Sequence, residues 1–402
     1  MINLNIKNWM CNFRHNNTLV QDSFNIGVLA LNNKEDEILS LTGLRFVAAL
    51  YVFIFHIHIR WPVTTNSFVS NIIGQGAVGM SLFFILSGFV LAYRYAGQTF
   101  RVSEYLKNRF ARIYPIYVVA ALLTLPWLGF DIIGTSMVDT FKAICKVFLI
   151  VTSNIFLVQA WLPQFFSYWN DGGSWSISVE AFCYLMLPLI LPYLLRASTE
   201  KLFLTIAIFW VWATLPGISA TLFDAPTTPV FYSMPVFRLP EFLVGVCSFL
   251  LIRRGFIYQH GVLAQIVVTL FFLFYLGFVG SRMSHYVGHN WIVIPVVAFM
   301  IFSLSNNKGI ISLILSSRVF VWLGKISYCF YSFQAFIILL MITYHAKLVE
   351  IIPVLSNNIV LMVVSFFVLV AISAAAYYLI EEPARKFIRL KGGRVGMPIS
   401  QS

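Results

Sequence analysis

Apolar runs of membrane-spanning length recur along this sequence, and they constrain its fold more than any other feature. Eleven such runs lie between residues 43 and 380. About 20 apolar residues suffice to cross the hydrocarbon core of a bilayer as a helix. Hydrophobic residues make up 59% of the chain and charged residues only 10%, against about 25% charged in a typical soluble domain. The sequence therefore predicts an all-α polytopic integral membrane protein.

The basic residues predict how these runs cross the membrane. Lysine and arginine cluster in five connections, and such clusters mark the cytoplasmic side; they lie at 94–112, 196–201, 253–254, 308–318 and 385–394. The five clusters can share one side only if the run 143–160 does not cross. We therefore expect about ten transmembrane helices plus one interfacial or re-entrant segment on the outer side.

Three regions follow from this topology. Residues 1–38 are polar and Asn-rich and lack the pattern of a signal peptide, so we expect a cytoplasmic extension. Residues 39–390 form the transmembrane domain, and 391–402 a cytoplasmic tail. The net charge of +12 is assigned to cytoplasmic loops that face anionic membrane lipids, with no nucleic acid as partner. The five cysteines show no metal-ligand or disulfide spacing, and no metal is expected.

Two ionisable residues of the first run mark a candidate site. Arg45 and His56 are eleven residues apart, which in a helix returns to within about 20° of the same face after a rise of about 16 Å. His58 lies about 200° round from His56 and faces elsewhere. Charged or titratable groups are costly within a membrane, so their presence there indicates function.

Glu180 and two further arginines complete the candidate set. Glu180 lies near the outer start of the fourth span, at a depth that we expect to match His56, so the two could form an acid/base pair. The alternative for Glu180 is a buried carboxylate that accepts backbone N–H bonds. Arg109 and Arg112 share a helical face and could form an anion pocket with Arg45, although arginines at a cytoplasmic helix end need no ligand.

Two other patterns predict packing rather than chemistry. Arg238 and Glu241 have the i,i+3 spacing of a helical ion pair, and we expect that pair to be structural. Ser87 and Gly88 are small residues of the kind that allow helices to pack closely within membranes.

The order of these motifs resembles the membrane-bound acyltransferase family 3, which includes O-acetyltransferases of bacterial surface polysaccharides. The resemblance covers roughly residues 39–390 and rests on Arg45 with His56, FFILSGFVL at 83–91, Arg109-x-x-Arg112-Ile-Tyr-Pro, WSISVEAFCYL at 175–185, FRLPEFLVG at 237–245, LGKISYCFY at 323–331 and EEPARK at 381–386. The chain departs from many relatives at Ser81, where they have Asp, and at Gln334, where they have His.

The resemblance implies an O-acyltransferase in the bacterial inner membrane. Together with the charge pattern, it leads us to expect both termini in the cytoplasm. Its donor is acetyl-CoA or another acyl-CoA, and its acceptor is a hydroxyl of a surface glycan or lipid-linked sugar. His56 is implied to be essential, and Arg45, Arg109 and Arg112 are implied to lie near the CoA. The sequence is compatible with an oligomer.

Alternatives remain at the level of sequence. His56 could act as a general base, for which its reference pKa of about 6.5 is suited, or it could form an acetyl-histidine intermediate. The same buried polar residues could instead serve a transporter of a lipid-linked or anionic solute. A non-catalytic scaffold would leave them without a role.

Overall fold

A computed structural model describes residues 37–129, 136–166, 168–169, 173–222, 230–256, 261–283, 287–305 and 309–390. Within these ranges the regular structure is helical and contains no strand, which confirms the all-α prediction. The predicted cytoplasmic tail 391–402 and all but the last two residues of the extension 1–38 lie outside the described residues.

The described ranges contain fifteen α-helices. In chain order they are α1 Leu39–His58, α2 Ser67–Gly74, α3 Val78–Tyr95, α4 Val102–Leu123, α5 Met137–Ile155, α6 Trp175–Arg196, α7 Thr199–Leu222, α8 Val230–Ser233, α9 Pro235–Arg253, α10 Gly261–Val279, α11 Asn290–Leu304, α12 Ile310–Leu315, α13 Arg318–Ile351, α14 Asn358–Ala376 and α15 Glu382–Leu390. A π-turn, Tyr377–Glu381, joins α14 to α15.

Eight helical stretches of the described chain are long and apolar enough to span a membrane: α1, α3, α6, α7, α8 with α9, α10, α13, and α14 with its extension. The protein is therefore an all-α, multi-pass membrane protein. Two more helices, α4 and α11, stand where the sequence predicts the third and eighth spans. Because α4 carries several charges and α11 has only 15 residues, the total of ten spans stays a prediction.

The helices divide into a central group and a lipid-facing group. In the apolar window of the α8–α9 stretch, 78% of the residues are buried inside the protein. In the corresponding windows of α7 and α10, only 22% of the residues are buried. Their remaining surface is apolar, as expected for helices that contact lipid. Helix α1 packs between α3 and α13, so the run that carries Arg45 and His56 lies at the centre of the molecule.

Close packing of α3 on α9 depends on two glycines. A Cβ atom at Gly88 would collide with the backbone of Phe242, and one at Gly245 would collide with the backbone of Ile85. The two helices therefore touch backbone to backbone, as small residues allow in membrane proteins. This contact confirms the packing role predicted for Gly88.

Arg238 and Glu241 form the ion pair that their spacing predicts. Their side chains are 1% and 0% exposed, with 2.9 Å between Arg238 Nη1 and Glu241 Oε1. Asn290 donates a further bond to Glu241 at 3.2 Å, and the guanidinium lies 5.2 Å from the ring centroid of Phe84. A buried charge needs such a partner, so this pair fixes the start of α9 against its neighbours.

Helix α5 corresponds to the run that the sequence predicts not to cross the membrane, and it is not one of the eight stretches. Its end contacts α4 through Tyr117, whose hydroxyl donates to the Asn154 carbonyl at 3.0 Å. Tyr117 lies six residues, or about 9 Å, before the C-terminal end of α4. Directly after α5, Gln159 donates to the Ser174 carbonyl at 2.7 Å. Helix α5 therefore ends beside the first turn of α6 instead of reaching the opposite end of α4.

Candidate active site

A cavity of about 110 Å³ lies between α1, α3, α4, α6 and α13. Four of the five residues singled out in the sequence line it: Arg45, Arg109, Arg112 and Glu180. Arg45 enters from the second turn of α1, and Arg109 and Arg112 enter from one face of α4. The expected cluster of three arginines is thus present in space, and Glu180 lies with it.

Arg109 is held mainly by aromatic rings. Its guanidinium carbon lies 5.9 Å from the ring centroid of Tyr95 and 5.8 Å from that of Tyr184, within the range of a cation–π contact. Its buried Nε has no hydrogen-bond partner among the described residues. Arg109 therefore brings to the cavity a positive charge and one N–H group that has no hydrogen-bond partner among the described residues.

Arg112 differs because it already has a counter-ion. It pairs with Glu381, whose side chain is 0% exposed, and the Cys329 thiol donates to the other carboxylate oxygen of Glu381 at 3.2 Å. The π-turn between α14 and α15 carries Glu381 to this position. Because Glu381 neutralises Arg112, the cavity holds its positive charge chiefly on Arg45 and Arg109.

Glu180 is fixed by side chains rather than by backbone N–H groups. The Tyr184 hydroxyl donates to Glu180 Oε1, and Ser87 Oγ lies 3.5 Å from the same oxygen. Both contacts end on Oε1, and no described residue hydrogen-bonds Oε2. The alternative of a carboxylate that caps a helix start is therefore not what the structure contains.

His56 does not line this cavity, and the structure does not bring it to Glu180. Its neighbour Phe55 packs against Gly76, just before α3. Ser87, which contacts Glu180, lies eleven residues after Gly76. In a helix this separation corresponds to about 16 Å along the axis, so Glu180 and His56 lie at different levels. The prediction that His56 and Glu180 lie at one depth is therefore wrong.

The depth of α6 explains this difference. The segment between α5 and α6 folds back into the protein, where Ala160 N donates to Ser178 Oγ at 3.4 Å. In the first turn of α6, Ser176 Oγ lies 2.7 Å from the hydroxyl of Tyr331, in the middle of α13. Because α6 begins below the C-terminal end of α1, Glu180 lies further from that end than it would in a helix that starts level with it.

The two histidines of α1 have different surroundings, as their angular separation predicts. The backbone N–H of Val63 donates to His58 Nδ1 at 3.2 Å, and His58 Nε2 lies 2.9 Å from Ser70 Oγ. His58 therefore uses both ring nitrogens to hold the loop after α1. His56 is partly exposed, and no hydrogen bond joins its imidazole to another described residue.

Sequence reasoning missed three groups at this site. Glu381, Tyr184 and Tyr331 stand in the sequence only as members of the EEPARK, WSISVEAFCYL and LGKISYCFY motifs, with no role of their own predicted. For Glu381 the sequence does offer a signal, because the chain has only 15 acidic residues. A carboxylate beside an apolar run needs a partner of opposite charge. Among the described residues, no group of three His, Cys, Asp or Glu side chains could hold a metal ion.

Comparison with known proteins agrees with this architecture. An acyltransferase domain model matches residues 38–378. The chain is 29% identical over 231 residues to acyltransferase MdmB of Streptomyces mycarofaciens, which covers 54% of this chain and 58% of MdmB. It is 23% identical over 378 residues to O-acetyltransferase OatA of Staphylococcus aureus, which covers 86% of this chain and 57% of OatA.

The matches to these relatives are partial in length. The chain spans somewhat more than half of MdmB and of OatA. A shorter match, 36% identical over 127 residues, is to protein 2 in the picA locus of Rhizobium radiobacter and covers 29% of this chain and 62% of that protein. No solved structure matches the chain. Because the domain model covers most of the sequence, from the start of α1 into the π-turn, the chain belongs to the membrane acyltransferase family that this domain defines.

Proposed function

We propose that the protein transfers an acyl group, most simply acetyl, from cytosolic acyl-CoA to a hydroxyl of a surface glycan or its lipid-linked precursor. The proposed location is the bacterial inner membrane, with both termini in the cytoplasm. The observation that supports this most strongly is the convergence of Arg45, Arg109 and Arg112 on one cavity beside Glu180. Arginine binds phosphate groups with charge-assisted, often bidentate hydrogen bonds.

The donor fits the electrostatics of the cavity. CoA carries several phosphate charges, and among the described residues neither Arg45 nor Arg109 forms a salt bridge like the one that joins Arg112 to Glu381. At about 110 Å³ the cavity is smaller than the 300–1,000 Å³ typical of ligand sites, so donor binding must widen it. With the phosphates at the arginines, the extended pantetheine arm would carry the thioester outward along α1.

His56 is suited to act at the outer end of that path. It shares a helical face with Arg45 and lies about 16 Å further outward. In the proposed step, His56 takes the proton of the acceptor hydroxyl while the hydroxyl oxygen attacks the thioester carbonyl. The tetrahedral intermediate releases CoA as a thiolate, which then receives the proton, so that an ester and free CoA result. An acetyl-histidine intermediate would use the same residue as the nucleophile.

We assign Glu180 a role in binding acyl-CoA and not in proton transfer, because it lies about 16 Å from the level of His56. Its carboxylate lies among three arginines and accepts from Tyr184. There it can orient Arg45 and Arg109 and reduce repulsion between them while the site is empty. Loss of Glu180 is then expected to change donor affinity more than the proton-transfer step.

The test uses purified protein in lipid nanodiscs with acetyl-CoA labelled in the acetyl group. De-O-acylated envelope glycan from the bacterium that encodes the protein is the acceptor. We expect label to appear as alkali-labile ester on the glycan, and His56→Ala to abolish its appearance. Acetyl-CoA that stays intact, together with movement of an unmodified solute across proteoliposomes, would assign the buried polar residues to transport instead.

A further inference from the structure

A second, smaller cavity lies on the other side of the first turn of α6. It has a volume of about 20 Å³ and is lined by Asn154, Gln159, Phe165, Ser174, Trp175 and Ser233, among others. Ser176 lines the first cavity, whereas Ser174 and Trp175 line the second. The two cavities therefore flank one turn of helix.

A buried amide marks this second cavity as a site for a ligand. Gln159 is 8% exposed, and its Nε2 donates to the Ser174 carbonyl at 2.7 Å. Its Oε1 is buried and has no hydrogen-bond partner among the described residues. An amide oxygen can accept two hydrogen bonds, and buried acceptors without a partner are rare because they are costly. A hydrogen-bond donor that enters the cavity, either a water molecule or a hydroxyl group of a ligand, would complete the bonding of this oxygen.

The backbone around Gln159 is strained in a way that is typical of functional segments. Leu157, with φ of 57°, and Trp169, with φ of 44°, are the only non-glycine residues with positive φ in the described chain. Both lie in the segment between α5 and α6. Trp169 is held there by a bond from its Nε1 to the Ala121 carbonyl at 3.0 Å. Strain of this kind persists where the surrounding structure enforces it, often at ligand sites.

The walls of the cavity combine hydroxyl, amide and aromatic groups. Trp175 packs against Tyr232 with ring centroids 4.5 Å apart and against Phe84 at 6.1 Å, so its ring is rigid. Ser174 and Ser233 add hydroxyls, while the charged pair Arg238–Glu241 stays outside the lining. A neutral ligand with hydroxyl donors and apolar ring faces fits this lining, whereas a phosphate does not.

We propose that the second cavity anchors the acceptor, by holding one hydroxyl of a saccharide residue against Gln159 Oε1 while the partly exposed rings of Phe165 and Phe166, which also line the cavity, contact the sugar face. The volume of about 20 Å³ accommodates one hydroxyl, so the rest of the residue lies outside the cavity and its reacting hydroxyl is directed past α6. This proposal rests on the proposed function. It assigns recognition of the acceptor to Gln159 and the described residues that line the second cavity, apart from the arginines proposed to bind the acyl donor.

The experiment separates acceptor from donor binding. Gln159→Met removes the carbonyl oxygen and the NH2 group of the side-chain amide at similar length. Ser174→Thr keeps a hydroxyl but fills the cavity with a methyl group. The control is Gln265→Met, which replaces another buried glutamine whose Nε2 donates to a backbone carbonyl, that of Ser303 at 3.2 Å. Gln265 lies on α10, away from both cavities.

The probes are labelled acetyl-CoA and de-O-acylated envelope glycan, with each protein in nanodiscs. We expect the KM for glycan to rise about two- to twelvefold in Gln159→Met, the range of one net hydrogen bond, and also to rise in Ser174→Thr. The donor Kd should stay within about twofold, and the control should match wild type.

Two results would overturn the proposal: an unchanged KM for glycan in both variants, or a donor Kd that weakens as much as the KM rises. If Gln159→Met does not fold, Ser174→Thr alone decides. A wild-type protein that transfers no label would overturn the proposed function itself, whereas active wild type with unaffected variants would overturn only the acceptor site.

Discussion

Arg109 and Arg112 should contribute differently to the protein, although they lie three residues apart on one helical face. Arg109 contacts the rings of Tyr95 and Tyr184 and has a buried Nε without a partner. Arg112 is paired with the buried Glu381. Replacement of each arginine by glutamine therefore removes a different interaction.

The expected magnitudes follow from these contacts. Arg109→Gln removes a charge-assisted hydrogen bond to a phosphate of acyl-CoA, worth about 1.5–3 kcal/mol. The Kd for acyl-CoA should therefore rise roughly 10- to 150-fold. Arg112→Gln leaves Glu381 buried without its counter-ion. Removal of one partner from a buried pair costs about 3–5 kcal/mol, but the Arg112 side chain is 22% exposed, so we expect about 1–3 kcal/mol of lost stability. Its effect on donor affinity should be smaller than that of Arg109→Gln.

The assay pairs titration of acetyl-CoA with thermal unfolding of each variant in nanodiscs. Arg109→Lys, which keeps the charge, should recover part of the lost affinity. Glu381→Gln added to Arg112→Gln should recover part of the lost stability, because it removes the uncompensated carboxylate. Equal losses of affinity in the two glutamine variants, with equal unfolding temperatures, would refute the division of roles.

Three other predictions concern the histidines, the ionic strength and the topology. His56→Ala should abolish acyl transfer with little change in unfolding temperature, whereas His58→Ala should retain transfer and lose about 1–2 kcal/mol of stability through its two hydrogen bonds; the reverse pattern would exclude His56 as the base. Donor affinity should fall as salt rises, since the attraction is between charges, and a salt-independent Kd would contradict the arginine site. Single cysteines at Asp139 and Asn357 should react with a membrane-impermeant reagent from outside and one at Glu200 should not, while protection of Asn357 would make α5 a span.

Much of the architecture could be predicted because membrane helices are encoded locally. A long apolar run specifies a helix from its own residues, whereas the direction that the basic connections indicate stays a prediction. The i,i+3 pair of Arg238 with Glu241 and the close approach at Gly88 are equally local, and both were predicted. The meeting of Arg45 with Arg109 and Arg112 also follows from local rules, because all three arginines lie at the predicted cytoplasmic ends of their helices.

The contacts that sequence reasoning missed are those between distant parts of the chain. Glu381 lies 269 residues from Arg112, and its side chain reaches the cavity from a π-turn that no simple periodicity signals. Gln159 belongs to a segment without helical periodicity, so its position beside Ser174 depends on how the chain returns from α5 to α6. Such positions are set by packing, which a single sequence does not display.

The depth of Glu180 shows how the starting point of one helix changes the chemistry assigned to a residue. A helix that began at the membrane surface would place Glu180 level with His56, in reach of a shared proton. Because the preceding segment folds inward, α6 begins deeper, and the carboxylate joins the arginines instead. In the proposed reaction this separates two tasks. Charged groups near the cytoplasm hold the polyanionic acyl donor, while His56 and Gln159 each meet a different hydroxyl of the neutral acceptor nearer the outer side. The span between these groups corresponds to the pantetheine arm, which can carry the acyl group between the two without either substrate crossing the membrane.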